Sequence, residues 1–294
     1  MLISHTKSAL ASGLVLVALL GVLTACGSGS GAAPTASAPK AVAIPAVTIT
    51  AKDFSYVMPA SIPAGLVTIT MVNQGSQPHQ AQLFHLNNGV TPAQFQAALH
   101  HSPAAVFPLA TLAGGPNSVM PGESQQVILN LTPGQYAVVC FDTDPATGKP
   151  HYDLGMVTFF QVAMTPGRAT ASPPQADGEV TLQDFRIGLP SAITAGQHTW
   201  KVTNNGPQPH ELTIMKLAAG KGVQDLVTFL LVRSPAGPPP FTDAGGMGAL
   251  APGTAGWVRL NLTPGNYVAL CFVPDRRTGK PHFMLGMLTP FTVQ

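Results

Sequence analysis

The chain has 294 residues, of which 45% are hydrophobic and only 9% charged, with a formal net charge of +2. That length holds two ordinary domains, each with its own core, and the faint charge bias without a basic cluster excludes a nucleic-acid footprint. The 30 Gly and 29 Pro favour strands joined by many turns over helical bundles.

Residues 1–25 are predicted to be an export signal. Lys7 gives a modestly positive start, "ALASGLVLVALLGVL" is the apolar run, and "LTAC" (23–26) closes it. The run is short for a bilayer-spanning helix. Leu-Thr-Ala-Cys resembles the lipobox of bacterial lipoproteins. The resemblance implies that Cys26 becomes the lipidated first residue, anchoring the protein by lipid to the extracytoplasmic face of the cell membrane. The following segment, 26–45, rich in Gly, Ser, Ala and Pro, reads as a flexible tether.

The remainder is one unit written twice. "AKDFSYVMPASIPAG" (51–65) matches "LQDFRIGLPSAITAG" (182–196), and "VNQGSQPH" matches "VTNNGPQPH" at His79 and His210. "LNLTPGQYAVVCF" matches "LNLTPGNYVALCF", and both "TGKPH" and "LGM" recur, every anchor offset by 131 residues. A repeat of this length marks duplicated domains, here 46–163 and 179–294, separated by a Pro/Ser/Ala linker at 164–178. Within the first copy, "LVTITMV" (66–72) alternates, with Val67, Ile69 and Met71 on one face. "QQVILNL" does so with Val127, Leu129 and Leu131, and "QYAVVCF" with Tyr136, Val138 and Cys140. "LTPG" before the last of these is a turn. One short helix per copy is predicted, at "TPAQFQAALHH" and "GVQDLVTFLLVR". Many short strands with turn signals imply an all-β sandwich in each copy.

Four ligand-type residues recur in both copies at identical spacing. They are His79, Cys140, His151 and Met156 in the first, and His210, Cys271, His282 and Met287 in the second. His85, His100, His101 and His198 have no histidine counterpart, and Met284 aligns with Asp153. Apart from Cys26, each copy has one cysteine, so neither forms an internal disulfide, and a Cys140–Cys271 bridge would need both strand ends to face each other. Two imidazoles and a thiolate form a trigonal donor set, and a weak axial thioether completes a blue-copper site. Taken singly, a strand-end Cys is a small core residue and a Met in "LGM" is packing; their joint recurrence points to a metal.

These residues resemble the cupredoxins of the plastocyanin and azurin type. "NNGPQPH" is similar to that family's strand carrying the first histidine, and "PGNYVALC" followed by His and Met to its final hairpin. The resemblance implies two tandem Greek-key β-sandwiches, each with one type 1 copper held by the four residues named. It implies electron transfer outside the cytoplasmic membrane with a redox partner protein that the sequence does not identify. The alternatives are a copper storage or delivery protein, or a copper-free protein-interaction module on the same scaffold. Two departures stand out: ten residues separate Cys from His instead of a few, and Gln80 and Glu211 follow the first histidine where the family often has Asn. Loop closure entropy grows slowly with length, so the longer loop is expected to bulge outward without moving the ligands. Catalytic copper in related two-domain enzymes would need further histidines beside the cysteine. Cys140 has Val139 and Phe141 as neighbours, and Cys271 has Leu270 and Phe272. The expectation is therefore no enzyme.

Overall fold

The computed structural model describes residues 42–167, 169–232 and 237–294. The predicted signal segment 1–25, the lipidation residue Cys26 and the tether up to residue 41 lie outside the described residues, as does Arg233 at the end of the second predicted helix. Among the described residues no helix is long and apolar enough to cross a membrane.

The first repeat runs through β1 (Ala46–Lys52), β2 (Ser55–Val57), β3 (Ser61–Pro63), β4 (Gly65–Asn73) and β5 (Gln82–Leu86). Helix α1 (Pro92–His101) follows, then β6 (Ala110–Leu112), β7 (Ser124–Leu131), β8 (Gly134–Val139) and β9 (Val157–Ala163). The second repeat contains β10 (Gly178–Gln183), β11 (Arg186–Gly188), β12 (Gly196–Asn204), β13 (His210–Leu217) and helix α2 (Val223–Leu231). It ends with β14 (Phe241–Leu250), β15 (Ala255–Leu262), β16 (Gly265–Leu270) and β17 (Leu288–Val293).

Each repeat is an all-β sandwich with one short helix, as the sequence predicts. In the first, β2, β1, β4 and β7 face a five-stranded sheet ordered β3-β9-β8-β5-β6. In the second, β11, β10, β12 and β15 face a sheet ordered β14-β13-β16-β17. The alternation in β4 and β7 works as read: Val67, Ile69, Met71, Val127, Leu129 and Leu131 all point into the core. Strand β8 departs from the one-face expectation, because Ala137 and Val139 are as buried as Tyr136 and Val138. The reason is α1, capped by Thr91 and Gln94, which covers the outer face of that sheet by setting Phe95 against Phe84 (ring centroids 5.3 Å apart) and Phe159 (6.1 Å). The Pro-Gly turns before β8 and β16 are pinned by their tyrosines: Tyr136 donates to the Thr132 carbonyl at 3.0 Å and Tyr267 to that of Thr263 at 2.8 Å.

The repeats do not stand apart. Strands β7 and β15 pair antiparallel from Gly256 opposite Leu129 to Arg259 opposite Gln126, so one eight-stranded sheet, ordered β11-β10-β12-β15-β7-β4-β1-β2, runs through both. The other layer is stitched as well: the Gly114 N–H donates to the Ala249 carbonyl at 2.9 Å and the Gly248 N–H to that of Gly115 at 2.8 Å. Gln82 reaches across with its amide, accepting from the Ala249 N–H and donating to its carbonyl. Residues 41–294 consequently form a single compact unit.

Candidate metal centre

The site of each repeat is assembled from three backbone segments. His79 sits just before β5, held in a two-way backbone bridge with Val119 (3.3 and 3.0 Å). Cys140 follows the last residue of β8. His151 opens a single 3-10 turn, His151–Leu154, which Gly155 ends at φ 107°. A residue with a Cβ is strained in that left-handed region, which explains the recurrence of "LGM": the glycine turns the chain so that Met156 enters β9. Met156 is fixed between two ligands, its carbonyl accepting from the Cys140 N–H at 3.2 Å and its N–H donating to the His151 carbonyl at 2.9 Å. Met287 is held in the same way by Cys271 (3.3 Å) and His282 (3.0 Å).

The ten-residue Cys-to-His segment closes on itself as a side loop. Thr143 and Pro150 bridge its mouth, and the Asp144 carboxylate accepts from the Thr147 N–H at 3.0 Å and from its hydroxyl at 2.6 Å. His151 therefore returns beside Cys140, its N–H donating to the Asp142 carbonyl at 2.8 Å.

The side chains converge. His79 Nδ1 lies 3.1 Å from His151 Nδ1, and Cys140 Sγ lies 3.4 Å from His151 Nδ1 and 3.9 Å from His79 Nδ1. In the second repeat, His210 Nδ1 and His282 Nδ1 are 3.0 Å apart and Cys271 Sγ is 3.5 Å from His282 Nδ1. All six of these residues, and both methionines, are fully buried. The two cysteines are free thiols, so no Cys140–Cys271 bridge forms.

The hydrogen bonds around the imidazoles decide what faces the centre. His79 Nε2 meets the Asp53 carboxylate at 3.1 Å. Asp53 is held ionised by the Ser76 hydroxyl, which keeps its pKa below the usual range. An ionised carboxylate only accepts, so His79 Nε2 carries the proton and, the ring being neutral, Nδ1 is a bare lone pair. Burial, partly offset by Asp53, keeps His79 below the ordinary imidazole range. His151 Nε2 lies 3.1 Å from Gln77 Oε1. The amide cannot be reversed, because Gln77 Nε2 donates to Asp144 at 2.9 Å. His151 Nε2 thus carries its proton too, and burial followed by the facing His79 pushes its pKa down to about 4. Two lone pairs then confront each other at 3.1 Å with a sulfur beside them, an arrangement that repels unless a cation sits among them. Burial, then Asp142, hold the Cys140 thiol well above its ordinary pKa, so a metal must displace that proton on entry. The Gln80 N–H (3.5 Å) and, in the other repeat, the Glu211 N–H (3.4 Å) point at the sulfurs and would stabilise thiolates. A two-nitrogen, one-sulfur donor set suits copper or zinc, and the residues present fit such an ion.

Glycine supports this wiring at one further point. A Cβ on Gly75 would collide with Asp53 Oδ1 and His79 Nε2, and one on Gly206 with His210 and Asp184. Asn73 ties the same loop down, donating to the carbonyls of Gln77 at 2.8 Å and Val119 at 3.0 Å. Asn204 repeats this on Gln208 and Leu250. Among the described residues the other histidines lie elsewhere: His85 stacks on Tyr136, His100 meets Asp153, His198 meets Asp177 and His101 is exposed at the end of α1. Sequence reasoning missed Asp53, Asp184 and Gln77. The first two stand in the recurring Asp-Phe pair and Gln77 in the recurring Gln-Pro-His, so their signal was repetition of a polar residue without an assigned task.

No protein-family model matches the chain, and no curated protein matches it. Among solved structures, the chain is similar to the dithionite-reduced auracyanin of Roseiflexus castenholzii, with 23% identity and a TM-score of 0.27 over 42% of this chain and 99% of that one. It is similar to auracyanin A, a blue copper protein of Chloroflexus aurantiacus, with 22% identity and a TM-score of 0.26 over 40% and 99%. It is also similar to the copper nitrite reductase of Nitrosomonas europaea, with 14% identity and a TM-score of 0.25 over 85% and 93%. At these scores the likeness carries no weight for function, which rests on the donor geometry.

Proposed function

We propose that the protein is a lipid-anchored, two-centre type 1 copper protein that transfers electrons outside the cytoplasmic membrane. The observation that carries this reading is the buried convergence of two imidazole nitrogens and a thiol in each repeat. Copper bound there would supply a one-electron couple. His79, Cys140 and His151 would hold the first ion and His210, Cys271 and His282 the second, with Met156 and Met287 as weak thioether donors. The chain's own part is to hold the donors in place. Asp53 and Asp184 orient the first imidazole of each set and fix its tautomer, while the backbone pinning of Met156 and Met287 leaves the ligand loops little freedom to rearrange. Full burial of every donor keeps the centre away from solvent, which favours electron transfer over catalysis.

Titrating the full chain in detergent with Cu(II), with visible absorbance as readout, tests the reading. An intense thiolate-to-copper band saturating at two equivalents, with a reversible one-electron couple, is expected. Copper uptake without a reversible couple would instead indicate storage or delivery. No band, with both cysteines still reactive as thiols, would refute copper binding.

A further inference from the structure

The Cys-to-His loop occurs twice on the same scaffold, and its two copies carry different charge. Each is locked from inside by an aspartate. Asp144 accepts from the Thr147 N–H at 3.0 Å and hydroxyl at 2.6 Å, and Asp275 from those of Thr278 at 2.8 and 2.7 Å. Thr143 bridges Pro150 at one mouth and Pro274 bridges Pro281 at the other. Beyond this lock the loops diverge. "DTDPATGKP" (142–150) holds one lysine and two aspartates, whereas "VPDRRTGKP" (273–281) holds two arginines, one lysine and one aspartate. The duplication acts as an internal control: Pro145 and Ala146 close the same loop, so the fold does not require Arg276 and Arg277.

The cations of the second loop are left to solvent. Arg276, Arg277 and Lys280 are exposed, and among the described residues none of the three side chains makes an ion pair or a hydrogen bond. Asp275 does not offset them at the surface. It is only 5% exposed, and its carboxylate is taken up by Thr278 and by Gln208 Nε2 at 3.0 Å. The loop joins two residues of the second centre, and Lys280 stands two positions before His282. Beside Arg276 a cleft of about 440 Å³ opens between this loop and the first repeat, with Ala104, Phe107 and Pro108 on one side and Pro274, Arg276 and Gly279 on the other. Arginine at the edge of a concave face with an aromatic wall is the composition of protein-binding surfaces. A membrane surface fits less well: lipid-binding basic segments carry about 4–8 cations, and a flat headgroup layer does not enter a cleft.

We infer that the loop 274–281 and the adjoining cleft form the docking surface for an acidic protein that exchanges electrons with the second centre. Arg276, Arg277 and Lys280 steer the acidic face and set its orientation, because charge complementarity governs encounter and specificity, while Phe107 and Pro108 supply apolar contact. One electron leaves the reduced partner and converts Cu(II) at the second centre to Cu(I); no bond or proton changes hands. The partner's redox role rests on the electron-transfer reading above, whereas the docking itself is testable on metal-free protein.

Calorimetric titration of the metal-free full chain with an acidic b-type cytochrome domain, using a basic c-type cytochrome as the control, tests it. Saturable one-to-one binding of the acidic protein is expected at about 10 mM ionic strength. It should weaken about tenfold or more at about 0.15 M, where the Debye length falls from about 30 Å to about 8 Å. The triple variant Arg276→Ala, Arg277→Ala, Lys280→Ala should weaken it by about tenfold or more; alanine keeps the residue-276 N–H that Gln208 accepts, so the wiring of the second centre is retained. Lys149→Ala, in the first loop, should change it by less than about twofold. Docking by a chain that takes up no copper would support the surface while refuting the electron-transfer reading. Absence of saturable binding, equal affinity for the basic cytochrome, or binding unchanged in the triple variant would each overturn the proposal. So would a preference for vesicles of phosphatidylserine and phosphatidylcholine over phosphatidylcholine alone that the triple variant loses, which would assign the loop to the membrane surface.

Discussion

The two centres share their ligands but not the hydrogen bonds behind them, and the difference traces to two prolines. In the first repeat Ser76 donates its N–H (2.8 Å) and hydroxyl (2.7 Å) to Asp53. The matched residue in the second repeat is Pro207, which offers neither. Asp184 instead accepts from Gln208 Nε2 at 2.9 Å, while binding His210 at 2.5 Å. In the Cys-to-His loop the swap is reversed. Arg276 has an N–H, which donates to Gln208 Oε1 at 2.9 Å, whereas its counterpart Pro145 has none. Gln77 Oε1 is therefore free to accept from His151, while Gln208 is fully engaged and His282 Nε2 is left buried without a partner among the described residues. Identical donor residues thus sit in unequal settings, set by which neighbours carry an N–H. Outer partners orient the metal-bound ring and raise its basicity, so the first repeat is expected to be the tighter site.

The largest expected effect separates the centres completely. Cys140→Ser should abolish the thiolate-to-copper band of the first repeat and Cys271→Ser that of the second. Each would leave about half the absorbance, and the pair none, if both sites fill independently. Next come the carboxylates: Asp53→Asn and Asp184→Asn should each weaken metal binding in their own repeat by about 10–100-fold, measured by competition with a chelator. Smaller and decisive for the comparison, Gln77→Ala should cost the first site one hydrogen bond, about 1 kcal/mol or roughly fivefold in affinity. Gln208→Ala should leave the His282 contribution unchanged, and equal losses would break the assigned asymmetry. Arg276→Pro sharpens it from the other side: by freeing Gln208 Oε1 it should tighten the second site by a few-fold.

The smallest effect concerns a carboxyl group the repeats do not share: Asp243 stands in the second where the first has Leu112. Folded Asp243 keeps its proton up to about 8, against about 4 when unfolded. Between those values the folded state binds more protons than the unfolded one, so stability falls as pH rises and the loss is complete above 8. Asp243→Asn removes that loss. The variant should be more stable than the wild type by about 1–2 kcal/mol near pH 9, a figure reduced because Asp243 is partly exposed to solvent, and no more stable near pH 4. Urea denaturation at the two pH values checks this.

Much of the molecule was legible before any coordinates. The 131-residue repeat, the alternation in β4 and β7, the short helix of each copy and the Pro-Gly turns are local or self-referential signals, and each follows from side-chain period or backbone restriction. The recurring His, Cys and Met positions were legible for the same reason, and the long loop could bulge because Asp144 closes it locally. What only the tertiary structure decided is non-local. The second buried face of β8 depends on a helix arriving from elsewhere in the chain, and the continuous sheet depends on β7 meeting β15 across more than a hundred residues of sequence. The inequality of the two centres depends on which N–H reaches which amide. Sequence periodicity reports how each residue is buried against its own element; it carries no signal for which distant element supplies the partner.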